Sequence, residues 1–166
     1  MSKSKVFLEW EVGYADKPLV APSMFYPAEV PGAVQLDIAR ALQYPPLEMA
    51  ENYKAYAWME DKYWFYRAFF EKPQINEDEI LLLVANGIDY QFAIFVNRKK
   101  IWQQTGMYQA VQLKLEKLQE KNELMIMIHP APKVPGAPEN RRQAAQTTKP
   151  AVSYRWDFHP RLIPLG

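Results

Sequence analysis

The chain of 166 residues has no cysteine. That excludes disulfides and thiolate metal sites but leaves the compartment open, because cysteine-free domains occur in reducing and oxidising places alike. Glycine is scarce, six in all, and none of them builds a glycine-rich phosphate loop behind an expected strand. The only two histidines, His129 and His159, fall in different expected elements, so a zinc site would have to recruit carboxylates from elsewhere. No metal or other cofactor is expected. Charge of one sign is lacking too: 20 Lys and Arg against 19 Asp and Glu leave +1, too weak a field to suggest nucleic acid or an anionic membrane as a partner. No apolar run approaches the roughly 18 residues of a membrane span, and the polar start, Met1 to Lys5, is too short for a signal peptide. The chain as given reads as soluble, either cytoplasmic or exported with its leader removed, so localisation stays open.

What is present is apolar and aromatic, at 49% and 14% of residues, well clear of the disordered class. Residues 1–166 are expected to form a single domain, which at this length buries about 70% of its unfolded surface. The first strand is expected over Val6 to Val12, with Trp10 facing the core. Lys17 to Pro31 holds four prolines and reads as a surface connection or edge, since proline supplies no ladder donor. Gln35 to Leu42 spaces Leu36, Ile38, Ala39 and Leu42 as a short helix stopped before Pro45-Pro46. Asn52 to Glu60 is a candidate for a second.

From Lys62 to Lys72 the alternation of Trp64, Tyr66, Ala68 and Phe70 predicts a strand, with Arg67 on the other face between Phe65 and Phe69. Ile80 to Ala85 is apolar on both faces, as for a strand buried mid-sandwich. A further strand is expected over Tyr90 to Val96. Beyond it, Arg98 is poorly suited to the positive φ of a tight hairpin, at a cost on the order of 1 kcal/mol, which predicts a wider loop through Lys100. The basic run Arg98-Lys99-Lys100, with no aromatic interleaved, reads as a hairpin tip rather than a nucleic-acid site. Met107 to Leu118 reads as a strand followed by a helical turn, and Asn122 to His129 as another strand apolar on both faces. Its methionines read as core filling. Pro130 to Pro150 is a long loop. Strands of this length, with one or two short helices confined to the early connection, predict an all-β fold, a jelly-roll β-sandwich.

The stretch from Tyr154 to Leu162 stands apart, because it crowds Trp156, Asp157, Phe158, His159 and Arg161 together. A carboxylate beside aromatic faces suits a sugar: it accepts hydrogen bonds from neighbouring hydroxyls while a ring covers the apolar C–H face. Arg161 can hold that carboxylate or reach a further oxygen. The competing reading is a final strand with Trp156 and Phe158 in the core and Asp157 capping the turn before Pro160.

Tyr154-Arg155-Trp156-Asp157-Phe158-His159-Pro160-Arg161-Leu162 resembles the Trp-Asp-Trp-Gly-Pro-Arg-Leu segment that closes the N-terminal sugar-binding domain of family 2 glycoside hydrolases, in particular their β-mannosidase branch. Val30-Pro31-Gly32-Ala33-Val34-Gln35-Leu36-Asp37, Trp64-Phe65-Tyr66-Arg67, and Gly87-Ile88-Asp89-Tyr90 with Val96-Asn97 agree with that family in the same order. The resemblance covers nearly the whole chain. It implies a galactose-binding-domain-like sandwich that opens a longer hydrolase continuing past Gly166. It also implies that Asp157 bonds sugar hydroxyls at the mouth of a downstream catalytic barrel, with Arg161 supporting the segment. Phe158 and His159 replace the family's second Trp and its Gly, which departs from the pattern where mannose specificity would be set. Hydrolysis with retention needs two carboxyls about 5–5.5 Å apart. In the resembled family these are barrel glutamates, so this chain alone is expected to be inactive. The alternatives are a free-standing carbohydrate-binding module, the same domain of a β-galactosidase or β-glucuronidase, and a structural interaction domain.

Overall fold

The computed structural model describes residues 5–138, 141–155 and 160–166. Its largest unit is a six-stranded antiparallel sheet of β1 (Trp10–Ala15), β2 (Tyr26–Ala28), β3 (Tyr63–Glu71), β5 (Gln91–Val96), β6 (Lys99–Thr105) and β8 (Lys121–Ile128), in the order β2-β1-β3-β8-β5-β6. A two-stranded sheet of β4 (Leu82–Ala85) and β7 (Val111–Lys114) lies in a second layer. The alternation in β3 decides which face is which. Trp64, Tyr66 and Ala68 are buried at 0%, 4% and 1% exposure and join Val12, Phe92, Ile94, Leu124 and Ile128 in the main core. Val111 closes that core from the second layer, with Leu83, Ala85 and Leu113 packed beside it. Each large side chain buried there stabilises the fold by about 1.5–3 kcal/mol. Trp64 also satisfies its indole, which donates to the Met59 carbonyl at 2.8 Å. The all-β sandwich expected from the sequence is the fold that forms.

Two helical pieces complete the second layer. Helix α1, Val34–Leu42, buries Val34 and Ile38 and leaves Leu36 and Leu42 partly in solvent. A 3₁₀ segment, Asn52–Asp61, buries Tyr56 and Met59. No side chain caps the start of α1; the Val34 N–H donates instead to the Leu165 carbonyl at 2.8 Å, so the far end of the chain satisfies one of the helix's open donors.

Several expectations are corrected. The first strand runs over Trp10–Ala15, not Val6 to Val12, because β2 and β3 offer pairing partners only from Trp10 onward and Phe7 is left 91% exposed. Ile80 to Ala85 is not buried mid-sandwich: β4 pairs with β7 alone, and Leu82 and Val84 point outward at 44% and 51% exposure. The strand β6 was not anticipated, and no helical turn follows β7.

The wider loop through Lys100 is also absent. Asn97-Arg98 forms a two-residue turn with φ of 48° and 66°, and Val96 pairs directly with Lys99. The neighbouring strand explains why. The Asn97 N–H donates to the Glu123 carbonyl, the Glu123 N–H donates to Asn97 Oδ1, and Asn97 Nδ2 donates to Asn122 Oδ1, each at 2.9 Å. Three such bonds, each worth about 1 kcal/mol net, outweigh the strain at Arg98. Arg98→Gly should therefore stabilise the chain by up to about 1 kcal/mol and raise Tm by roughly 2–4 °C in a thermal melt. An unchanged or lower Tm would mean that the turn carries no strain at this residue.

The outward face of the large sheet is apolar as well. Phe65, Ala93, Met127 and Ala15 form a second cluster there, and residues 16–25 fold back across it. They pass so close to β1 that a Cβ on Gly13 would lie 2.5 Å from the Met24 carbonyl oxygen. Arg67 stacks on the Phe25 ring, 3.6 Å from its centroid, and its Nε donates to Glu11 at 2.8 Å.

Candidate functional site

The chain reaches the Trp-Asp stretch through a short 3₁₀ turn, Ala151–Tyr154. Tyr154 is fully buried, and its hydroxyl donates to the Pro132 carbonyl at 2.7 Å. Burial pushes its phenol up to about 12, so it remains a donor throughout the physiological range. The Leu162 N–H donates to the Ser153 carbonyl at 3.1 Å, so the chain leaves this point at Ser153 and returns to it at Leu162. Of the candidate residues, Trp156, Asp157, Phe158 and His159 lie outside the described residues.

Arg161 lies on the return and is held firmly. Its Nη2 donates to Glu60 Oε1 at 2.8 Å, and its guanidinium carbon lies 5.9 Å from the centre of the Tyr154 ring. Lys133 reaches the same Glu60 oxygen at 2.7 Å and Asp61 at 2.6 Å. The Glu60 and Arg161 side chains are only 12% and 13% exposed, so their attraction is weakly screened.

Beyond Arg161 the chain forms a strap in which each carbonyl from Ile163 to Gly166 has its own donor. These are Gln35 Nε2 at 2.8 Å, Lys149 Nζ at 3.0 Å, the Val34 N–H at 2.8 Å and the Asp89 N–H at 2.8 Å, in that order. Ile163 and Leu165 are buried at 1% and 0% exposure. Gly166 packs so tightly that an added Cβ would sit 2.5 Å from the Gly32 carbonyl oxygen. Lys149, with no exposed side-chain surface, also donates to Asp89 Oδ2. Burial holds the Asp89 carboxyl above the usual carboxylate range and the Lys149 ammonium below its own. The strap that follows Arg161 thus meets two of the other stretches that stood out in the sequence, those around Gly32 and Asp89.

The family model described as "Glycosyl hydrolase 2 galactose-binding domain-like" matches residues 10–166. The chain belongs to this family. As a glycosyl hydrolase 2 domain it is similar over 95% of its length, at 25% identity and a TM-score of 0.72, to the crystal structure of the β-D-mannosidase from Dictyoglomus thermophilum. It spans 20% of that chain. It also resembles in fold the glycosyl hydrolase family 2 member from Bacteroides cellulosilyticus, at 14% identity and a TM-score of 0.50, covering 74% of this chain and 17% of that one. No curated protein matches.

In this glycosyl hydrolase 2 domain, the residues that bond to Arg161 and to the strap beyond it are mostly ones that local sequence does not single out. Glu60, Lys133 and Lys149 carry no motif, and Asp89 drew notice only as part of Gly87-Ile88-Asp89-Tyr90. His129 sits at the end of β8, where its N–H donates to the Gln91 carbonyl at 2.8 Å and its ring meets Tyr63 edge-on. Burial lowers its pKa. Among the described residues no three or more of His, Cys, Asp and Glu converge as metal ligands would.

Proposed function

We propose that this chain is the non-catalytic N-terminal domain of a β-mannosidase-like family 2 glycosidase, a retaining exo-acting enzyme on terminal β-linked sugars. In this reading it lends Asp157 to the subsite of a catalytic barrel further along the same polypeptide. Asp157 accepts hydrogen bonds from sugar hydroxyls, while Trp156 and Phe158 offer apolar faces, and His159 stands where the family has a smaller residue. Arg161 supports the segment from its base. The observation that carries the reading is the pinned stem: Ser153 meets Leu162, Tyr154 is buried, and Arg161 is locked to Glu60. The residues on both sides of the candidate stretch are thus fixed on the domain. The similarity to the Dictyoglomus thermophilum β-D-mannosidase over nearly the full chain supports the β-mannosidase branch.

A domain that supplies one wall of a subsite binds sugar poorly by itself. Titration calorimetry of the 166-residue chain with methyl β-mannoside should give a Kd in the millimolar range or weaker, no more than about 4 kcal/mol. Micromolar binding would instead favour a free-standing carbohydrate-binding module.

A further inference from the structure

We propose that the uncharged rim around Gly166 is the docking face for the part of the same polypeptide that follows this domain. The inference rests on the proposed function, which places a further domain beyond Gly166, and it goes on to say where that domain sits.

Three segments border the place where Gly166 lies. The Asp89 N–H donates to the Gly166 carbonyl at 2.8 Å and the Gly166 N–H to the Asp89 carbonyl at 3.3 Å, while Gly32 packs against Gly166 from the start of α1. The connection between β6 and β7 extends this border: the Gly106 N–H donates to the Tyr90 carbonyl at 2.9 Å, and a Cβ on Gly87 would lie 2.7 Å from the Met107 carbonyl oxygen. Residues 30–36, 86–88 and 106–110 thus form a rim beside Gly166. None of these residues, nor any of 162–166, is Asp, Glu, Lys or Arg, in a chain where 23% of residues are charged.

Depletion of charge together with aromatic side chains is what marks the centre of a protein interface off from ordinary surface. Tyr108, Val30 and Leu36 stand on this rim at 69%, 54% and 54% exposure. One exposed leucine alone would mean little. Elsewhere the exposed apolar residues are mixed with charge, as ordinary surface is: Leu19 follows Asp16 and Lys17, and Leu82 pairs with Lys114. The rim is also preformed. Gln104 Nε2 donates to the Gln109 carbonyl at 3.0 Å and Trp102 Nε1 to Gln104 Oε1 at 3.2 Å, so the turn that carries Tyr108 is tied to β6. A surface held in this way loses little freedom when it is covered.

The same polypeptide is the cover that fits this placement. Whatever follows Gly166 starts beside the rim and needs no diffusional encounter, and a short connection gives it an effective concentration on the order of millimolar. The Dictyoglomus thermophilum β-D-mannosidase, of which this chain spans 20%, shows the scale of polypeptide that the proposed reading places there.

Thiol labelling of the full-length protein tests the docking face, and the lack of cysteine in these 166 residues lets each introduced thiol be identified by peptide mass. Tyr108→Cys and Leu36→Cys lie on separate elements, and both replace exposed side chains, so the core is left intact. Each should react with a maleimide about tenfold or more slower in the native protein than in guanidinium, as a covered thiol does. Leu19→Cys, at a position 96% exposed and outside the rim, should react at close to its unfolded rate. A rate near the unfolded one at either rim position overturns the docking face and leaves the sugar reading standing. Protection that weakens on dilution also overturns it, because a second copy would then be the cover. Equal protection of Leu19→Cys does the same, since the cover would not be particular to the rim. A native polypeptide that ends close to Gly166 overturns the proposed function itself, and the docking face with it.

Discussion

On the proposed function, Asp157→Ala in the full-length enzyme should lower kcat/KM on an aryl β-mannoside by about a hundredfold or more while Tm changes little. A carboxylate that accepts bonds from two sugar hydroxyls in a water-poor subsite makes charge-assisted hydrogen bonds, each worth about 1.5–3 kcal/mol. Truncation leaves those hydroxyls unpaired in the transition state, a loss of ~3 kcal/mol. Folding should be nearly indifferent, because Tyr154, Ser153, Leu162 and Arg161 make the contacts that hold the stem. The competing role, a cap on the turn before Pro160, predicts the opposite pattern: a stability loss of about 1 kcal/mol with turnover intact. Measured together, Tm and kcat/KM separate the two, and a lowered melting point with parental kinetics removes Asp157 from the site.

The second large effect concerns Lys149. Its ammonium is the partner of a buried carboxylate whose other oxygen, Asp89 Oδ1, has no hydrogen-bond partner among the described residues. Lys149→Met leaves that carboxylate uncompensated and also frees the Pro164 carbonyl, which Lys149 holds at 3.0 Å. Breaking a buried pair by removing one member costs about 3–5 kcal/mol, which lowers Tm by roughly 6–20 °C at this chain length. Adding Asp89→Asn should recover a large part of the loss, since a neutral amide has far less to lose by burial.

The pH dependence has a definite sign. Burial already raises the Asp89 pKa, and loss of Lys149 removes the charge that opposes this. In Lys149→Met the folded state therefore prefers the protonated acid. Stability is retained below the unfolded carboxylate range and lost as pH rises through the raised Asp89 pKa. The gap between variant and parent should be widest at neutral pH and narrow on acidification. Thermal melts across pH would detect this, and a gap independent of pH would show that the pair is not what Lys149 contributes.

The second effect depends on contacts that join distant parts of the chain, and this marks the limit of what local sequence discloses. The strand β3 was legible because its code is local. Trp64, Tyr66 and Ala68 alternate with a period of two, and that is enough to choose a buried face. The helix over Val34–Leu42 was legible for the same reason, through apolar spacing and the prolines behind it. Where the local pattern was ambiguous the reading failed. Ile80 to Ala85 is apolar on both faces, yet how much of it is covered depends on the number of strands beside it, and β4 has one neighbour. Arg98 argued against a tight turn, and bonds from Asn97 to β8, more than twenty residues away, overrode it.

The amino-acid sequence by itself determined the all-β class, the main strands and the ordered motifs that place the chain in its family, because each is written in neighbouring residues. Only the tertiary structure decided which charges meet. Glu60 finds Arg161 across 101 positions, Lys149 finds Asp89 across 60, and Gln35 reaches the Ile163 carbonyl across 128. An ion pair or a side-chain bond leaves no periodic trace along the chain. Its two halves come within reach only after the strands have paired and buried their faces, when the low-dielectric surroundings make each partner costly to leave alone.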